Sequence, residues 1–261
     1  MLDAVCAAVR AAGKIMLEAK RYAGDGMAKS GDRNYVTEYD VRVQNALQIS
    51  LGKIAPEAGF YGEENDAQNV KETMWIVDPI DGTSNFIHDL RMSAISVAFA
   101  DSAANRVDLA VIYHPYTDEL FAAERGKGAF CNGTPIRISD RDYDHALIGF
   151  GTTPYDRELS HATFSLLETV YTESLDIRRS GSAAIDLAYL AIGRIDGFLE
   201  MRLQPWDYAA GALLIEEAGG VISRFNGEAV DLVCASSVLA GNPQVYARLQ
   251  ELVEPYRALV Y

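Results

Sequence analysis

Trp75-Ile76-Val77-Asp78-Pro79-Ile80-Asp81-Gly82-Thr83-Ser84-Asn85-Phe86 is the stretch on which the reading of this chain turns. An apolar run with Ile and Val reads as a buried strand, and it stops in an acidic loop punctuated by Pro and Gly. Two carboxylates therefore stand where a strand ends. Pro79 has no N–H and a fixed φ, so a regular ladder cannot pass through it, and Gly82 admits backbone conformations other residues resist. Asp78 and Asp81 can then face one point. Like charges held that close repel unless a cation lies between them, and a hard divalent ion bound through oxygen meets that need. The Ile80 carbonyl offers a further oxygen. The alternative is an Asx-turn, with both side chains bonded to nearby backbone N–H groups.

Upstream, Gly62-Glu63-Glu64-Asn65 places an acidic turn just before the strand. Thr37-Glu38-Tyr39-Asp40 fits a capping box, and Val43, Ala46, Leu47, Leu51 and Ile54 continue at helical spacing, so a helix starts near Thr37. Asp40 falls in its first turn, where the helix dipole favours a carboxylate whatever the function. Leu2 to Ala19 repeats apolar residues at three- and four-residue steps and reads as an amphipathic helix. Between the helices, residues 24–34 carry Gly24, Gly26 and Gly31 without a period. That segment is either a lid bearing Lys29 or a connector that leaves Lys29 in water.

Downstream, residues 93–100, 106–113 and 119–123 read as strands in an antiparallel meander. Asn132-Gly133 marks a hairpin between 129–131 and 136–138. A polar junction rich in Asp and Arg follows at 139–145. The second half reads as strand 146–151, helix 157–171 and strand 174–178. Next comes a helix capped by Ser182 and running to Gly193, its N-terminal amides open to an anion. Strand 195–200 leads to Gln204-Pro205-Trp206-Asp207 and an Ala/Leu-rich helix stopped by Gly219-Gly220. That helix is apolar nearly all round and hence buried. Asp207 at its start is either an ordinary first-turn acid or a carboxylate placed at the core's edge. An Asn226-Gly227 turn, strand 237–240 and a helix after Pro243 close the sequence.

Composition bounds the function. With 261 residues and 49% hydrophobic content the chain can bury a sizeable core. A formal charge of -14 with no long Lys/Arg cluster argues against nucleic acid as partner, and against a two-metal nuclease. Cys6, Cys131 and Cys234 are far apart and form no C-x-x-C pair, so neither a disulfide framework nor a thiolate zinc site is expected, and a reducing cytoplasm fits. The charged N-terminal helix is no signal peptide, and no apolar run is long enough for a membrane span; a soluble, cytoplasmic protein without a membrane partner is expected. The four histidines lack H-x-x-x-H spacing, and no G-x-S-x-G elbow is present. What remains is a set of carboxylates at structural punctuation points, which suits Mg²⁺ or Mn²⁺ and phosphoryl chemistry.

These residues carry a resemblance. Gly62-Glu63-Glu64, Trp75 to Phe86, Gly181-Ser182-Ala183-Ala184 and Trp206-Asp207 are similar, in order and over nearly the whole chain, to the Mg²⁺-dependent, lithium-sensitive inositol monophosphatase family. The resemblance implies an α/β fold of alternating helix and sheet layers, of the inositol monophosphatase and fructose-1,6-bisphosphatase sugar-phosphatase type. It implies one continuous fold over 1–261, with a metal-binding subdomain of about 1–140, a substrate-side subdomain of about 141–261 and the metal site between them. It makes Glu63, Asp78, the Ile80 carbonyl, Asp81 and Asp207 ligands for two or three Mg²⁺ per site, with Mn²⁺ as a substitute.

The same resemblance makes Glu63 and Thr83 catalytic, orienting the attacking water, and puts Asp40 beside them near a third metal position. Substrate would meet Asp81, the amides of Gly82 and Thr83, the backbone around Ser182 and Ala183, Glu200 through its hydroxyls, and Lys29 from a flap. The implied reaction is hydrolysis of a small phosphate monoester, first among them myo-inositol monophosphate, by a homodimer. Fructose-1,6-bisphosphatase, histidinol-phosphatase and 3′-phosphoadenosine 5′-phosphate phosphatase activities are alternatives on the same site. A ligand-binding protein without turnover is the alternative of another class. Tyr39 and the run His88-Asp89-Leu90-Arg91 depart from the family pattern. Arg178 and Arg179 either read a second phosphate or form a charged strand end.

Overall fold

The computed structural model describes residues 1–19, 27–28, 35–64 and 70–259. In chain order the elements are α1 (Leu2–Glu18), β1 (Met27–Ala28), β2 (Tyr35–Val36), α2 (Glu38–Ile54), β3 (Gly59–Gly62), β4 (Thr73–Asp81), α3 (Thr83–Ile87), β5 (Ala94–Asp101), β6 (Arg106–His114), β7 (Glu119–Glu124), β8 (Ala129–Cys131) and β9 (Thr134–Ile136). They continue as β10 (Leu147–Phe150), α4 (Ser160–Glu173), β11 (Asp176–Arg178), α5 (Ala183–Ala191), β12 (Gly197–Leu203), α6 (Pro205–Glu217), β13 (Val221–Ser223), β14 (Ser236–Gly241) and α7 (Pro243–Leu252). Lys29 and Asn65 lie outside the described residues.

The period of a strand sets the layers. Along β4, Trp75 and Val77 point one way into a core shared with Val5, Val9, Val43 and Leu47 of α1 and α2, while Met74 and Ile76 point the other way toward α5 and α6. A strand buried on both faces reads as a continuous apolar run, as this one does. β12 and β14 split likewise: Phe198 and Val238 face α5 and α6, and Leu199 and Leu239 face α4 and α7. The result is five layers, in which α1 and α2, a seven-stranded sheet, α5 and α6, a five-stranded sheet, and α4 and α7 stack in turn. α6 lies between two sheets, which is why it is apolar on every side.

Both sheets are mixed. The larger runs β3-β4-β5-β6-β7-β8-β9, parallel only between β3 and β4 and antiparallel thereafter. The smaller runs β11-β10-β12-β14-β13, with β10 parallel to both its neighbours and β14 antiparallel to both of its own. β3 is an addition to the sequence reading, because four residues with a Gly at each end give no alternation to detect. The hairpin strand expected over 136–138 begins at Thr134, since Cys131 pairs directly with Thr134 across the two-residue Asn132-Gly133 turn. Pro135 is tolerated there because β9 is an edge strand. The helix expected over 157–171 starts at Ser160, after a 3-10 turn at Arg157–Leu159.

The polar junction after β9 is pinned by one buried carboxylate. Asp196 accepts from Arg141 Nε at 2.8 Å, from the Ser139 hydroxyl at 2.5 Å and from the Leu147 N–H at 2.7 Å. Fully satisfied in this way, a buried charge fixes the path of the chain between the two sheets.

Candidate active site

β4 delivers two of the acidic residues. Its register with β5 runs in step from Thr73 opposite Asp101 to Asp78 opposite Ser96, then slips so that Asp81 faces Ala94. Residues three apart on a regular strand point to opposite faces, so the irregularity at Pro79 is what lets Asp78 and Asp81 meet. Asp78 Oδ1 also accepts the Ile80 N–H at 3.0 Å. The Asx-turn and the carboxylate cluster are thus one arrangement, not rival ones. Gly82 follows with φ 84°, and a Cβ there would lie 2.9 Å from the Met92 carbonyl oxygen, so the turn into α3 requires glycine.

Three further segments converge on this strand end. Asp207 comes from the first turn of α6, where its Oδ2 accepts the Gln204 N–H at 2.7 Å. The Ser96 hydroxyl on β5 donates to the Trp206 carbonyl at 3.0 Å and ties that helix start to the larger sheet. Glu63 follows β3, and its N–H donates to the Val77 carbonyl at 3.2 Å. The N-terminus of α5 docks on Asp81: Oδ2 accepts the Ala184 N–H at 2.7 Å and the Ser182 hydroxyl. The sequence reading left the first amides of α5 open to an external anion. The structure gives one of them to Asp81, a carboxylate 103 residues away in the chain.

One carboxylate oxygen each from Asp78, Asp81 and Asp207 lies within 4.8 Å of the others. Burial pushes the Asp81 carboxyl up to about 6, against the lowering effect of Ser182 and Ala184, and Glu63 adds repulsion. Asp207 is held well above its usual range, by burial first and then by Asp81 and Glu63. Such a cluster is unfavourable by itself, and a divalent cation among hard oxygen donors relieves it. The donor set therefore fits Mg²⁺ or Mn²⁺, and neither a thiolate nor an imidazole stands among the residues lining the cleft.

Thr83 and Asp40 meet behind the cluster. The Thr83 hydroxyl donates to the Ile80 carbonyl at 3.1 Å and lies 3.4 Å from Asp40 Oδ1. Asp40 is fully buried, and its other oxygen closes the capping box, accepting from the Thr37 N–H at 2.7 Å and the Thr37 hydroxyl at 2.5 Å. Asp40 does not line the cleft itself. Beside it, Tyr39 packs edge-on against Phe86 at 5.6 Å, so the departure at Tyr39 fills space between α2 and α3. In the other departure, Asp89 and Arg91 take φ of 51° and 59°, left-handed positions held without glycine.

The acidic residues line a cleft of about 300 Å³, together with Glu63, Gly82, Thr83, Ser182 and Ala183. Glu200 of β12 lines the same cleft and is close enough to Asp81 and Asp207 to interact with their charge. Its Oε1 accepts the Thr153 N–H at 2.8 Å, and burial pushes its carboxyl up to about 7, with Thr153 and Arg179 opposing. Gly151 makes room for it: a Cβ at that position would stand 1.8 Å from Glu200 Oε2. Sequence reading missed Asp186 and Tyr155, which line the same cleft, Tyr155 close enough to Glu63, Asp207, Asp78 and Asp81 to feel their charge. Burial pushes Asp186 up to about 8, and Asp81 and Glu200 add repulsion. The signal was a lone carboxylate in the otherwise apolar run Ala183–Ala191 of α5; Tyr155, in a loop, had none.

Two mixed sheets in five alternating layers, with carboxylates gathered at a strand end and a helix start, define a phosphatase of the layered sugar-phosphatase type. The chain belongs to the inositol monophosphatase family, whose model matches residues 1–258, and it is a phosphomonoesterase of that family. It is 41% identical over 230 residues to the inositol-1-monophosphatase of Rhizobium meliloti, covering 86% of this chain and 84% of that one. It is 38% identical over 251 residues to the Nus factor SuhB of Salmonella typhimurium, covering 94% and 92%. Among solved structures, the extragenic suppressor protein suhB of Bartonella henselae superposes with a TM-score of 0.89 at 34% identity, over 97% of each chain. No helix among the described residues is long and apolar enough to cross a membrane.

Proposed function

We propose that this chain hydrolyses the phosphate monoester of a small polyol, myo-inositol monophosphate foremost, in a Mg²⁺-dependent reaction. The observation that carries the reading is the convergence of Asp78, Asp81 and Asp207 in a cleft that Glu200 and Asp186 also line, where they are available to substrate hydroxyls. Asp78, Asp81, Asp207, Glu63 and the Ile80 carbonyl would hold the metal. Mg²⁺ bound there supplies Lewis acidity, neutralising phosphoryl charge and making a water acidic enough to attack at neutral pH.

The chain's own residues do the positioning. With its proton shared between the Ile80 carbonyl and Asp40 Oδ1, the Thr83 hydroxyl offers lone pairs to the attacking water. Glu63 accepts the proton that water loses as its oxygen bonds to phosphorus. The amides of Gly82 and Thr83, at the start of α3, hold phosphate oxygens, and Ser182 and Ala183 wall the substrate from α5. Asp40 orients Thr83 from behind. The ester oxygen leaves as phosphorus is attacked in line, and takes up a proton from solvent. Glu200 accepts from substrate hydroxyls and sets which alcohol is released.

The test is phosphate release by the wild type from myo-inositol 1-phosphate, glycerol 2-phosphate, histidinol phosphate, 3′-phosphoadenosine 5′-phosphate and 4-nitrophenyl phosphate. The reading expects the highest kcat/KM on the inositol ester. Preference for the aryl ester would remove the polyol assignment. Acting as a Nus factor is a second reading, favoured by the likeness to SuhB proteins over 94% of this chain. Asp78→Asn separates the two, because a role independent of turnover would survive it.

A further inference from the structure

The stretch Gly151-Thr152-Thr153-Pro154-Tyr155-Asp156 carries the chain out of β10 along the cleft, and Gly151, Pro154 and Tyr155 stand on its wall. Thr153 is 3% exposed and takes φ of 43°. Left-handed backbone is unfavourable for a β-branched residue, and the residue before a proline is pushed toward extended backbone, so Thr153 meets two steric penalties at once. Among the described residues Asp89, Arg91, Asn105, Asp118 and Asn132 also take positive φ without being glycine, but all of them are exposed and none is β-branched. Thr153 carries a third cost: its hydroxyl is buried and makes no hydrogen bond among the described residues.

The turn that imposes these costs is fastened to β12 on both sides of Glu200. The Gly151 N–H donates to the Leu199 carbonyl at 3.1 Å. Asp156, whose N–H donates to the Thr153 carbonyl at 3.1 Å, lies 3.5 Å from Arg202. Between those two points the Thr153 N–H donates to Glu200 Oε1 at 2.8 Å. The Thr153 hydroxyl stands close enough to favour the charged carboxylate, yet forms no hydrogen bond with it. Strain of this kind persists only where the surroundings over-determine it, and it gathers at functional sites. The strained backbone and the unbonded hydroxyl here belong to the residue that holds a carboxylate of the cleft wall.

We propose that Thr153 is a positioning residue for Glu200: its backbone N–H holds one carboxylate oxygen, its hydroxyl serves as a second donor to the same group, and the other oxygen meets substrate hydroxyls in a fixed direction. The inference rests on the function proposed above and deepens it by naming what sets the preference for a polyol. Glutamate is a flexible side chain, and an acceptor free to turn must be ordered each time a polyol binds. Fixing it beforehand removes that cost from binding and keeps the selectivity that a directed hydrogen bond confers. Thr153 acts through Glu200 alone.

The experiment measures kcat and KM on myo-inositol 1-phosphate and on 4-nitrophenyl phosphate, which has no hydroxyls for Glu200, with a thermal melt of each protein. The proteins are the wild type, Thr153→Val, Thr153→Ala, Thr153→Ser, Glu200→Ala and Thr153→Val/Glu200→Ala. Thr153→Val keeps the branched shape and deletes the hydroxyl, and it should lower kcat/KM for the inositol ester about tenfold more than for the aryl ester, mostly through KM. Thr153→Ala should show the same bias, and Thr153→Ser, which restores the hydroxyl, should recover the wild-type preference. Thr153→Val should also melt no lower than the wild type, because a methyl in place of an unbonded buried hydroxyl removes a desolvation cost. In the Glu200→Ala background Thr153→Val should shift the preference by less than about twofold, since the group it acts through is gone. Thr153→Val and Thr153→Ala losing equally on both esters, or a bias that survives in the double variant, would overturn the proposal and leave Thr153 a part of the fold. If Glu200→Ala itself loses equally on both esters, the role of Glu200 toward substrate hydroxyls falls first, and the positioning role with it.

Discussion

Adding a single methyl at Gly151 tests the placement of Glu200. An alanine Cβ there would lie 1.8 Å from Glu200 Oε2 and 2.0 Å from its Cδ, whereas ordinary contact begins near 3.4 Å. The backbone cannot easily yield, because the Gly151 N–H is bonded at 3.1 Å to the Leu199 carbonyl, on the strand that carries Glu200. The carboxyl must retreat by more than an ångström, and it then gives up the Thr153 N–H that it accepts at 2.8 Å. Leaving that amide unsatisfied costs about 1–3 kcal/mol, with overpacking strain of similar size. A displacement of this order at a substrate-positioning group reduces turnover on the order of 10²-fold.

Gly151→Ala should therefore lose kcat/KM on myo-inositol 1-phosphate by about that factor while largely keeping turnover of 4-nitrophenyl phosphate, which has no hydroxyls for Glu200 to bind. Phosphate release and thermal melts provide the assay. In Gly151→Ala/Glu200→Ala the clashing carboxyl is gone, so the double variant should melt close to Glu200→Ala alone, with a coupling in the range of about 0.5–3 kcal/mol. If Gly151→Ala melts like the wild type and turns over both esters at wild-type rates, Glu200 does not stand against Gly151 and the reasoning is wrong.

Other consequences are separable from this one. Glu63→Gln should lower kcat on the order of 10²-fold or more with KM little changed; a large rise in KM at unchanged kcat would contradict its role at the attacking water. Asp186, pushed up to about 8 by burial, keeps a proton in the folded protein that the unfolded chain releases near the ordinary value of 3.8. Between those values the folded state binds more protons, so stability falls as pH rises, by up to about 1.4 kcal/mol per pH unit. Urea midpoints at fixed Mg²⁺ should then diverge in favour of Asp186→Asn from pH 5 to pH 8, and parallel curves would remove the assignment. Ser182→Ala deletes both the cap of α5, whose hydroxyl accepts the Ile185 N–H at 3.3 Å, and a donor to Asp81. A loss of about 0.5–2 kcal/mol is expected, measured by chemical denaturation.

Much of this architecture was legible because strong local rules agreed with it. β4 announced itself as an apolar run closed by Pro79 and Gly82, α2 by its capping box at Thr37, and α6 as a helix with no polar face, which only a site between two sheets can house. β3 was not legible, since a four-residue strand paired in parallel with a partner eleven residues downstream leaves no periodic trace. At the site, the Asp78, Asp81 and Asp207 cluster could be anticipated from punctuation at a strand end and a helix start. The docking of Asp81 on the N-terminus of α5 could not, because it depends on how the two sheets stack. Nor could the difference between Arg178, which ends β11 and pairs with Asp176, and Arg179, which lies past the strand and lines the cleft, because what a strand end meets is decided by neighbours far away in the chain.

The central claim is that Asp78, Asp81 and Asp207 gather a divalent cation on which hydrolysis depends. Phosphate release from myo-inositol 1-phosphate by the wild type, Asp78→Asn and Asp207→Asn, each assayed with Mg²⁺, after EDTA, and after Mg²⁺ is restored, tests it most directly. Wild-type activity should vanish in chelator and return with Mg²⁺, and both variants should be nearly inactive throughout. Release that persists in EDTA, or variants that keep wild-type rates, would contradict the account.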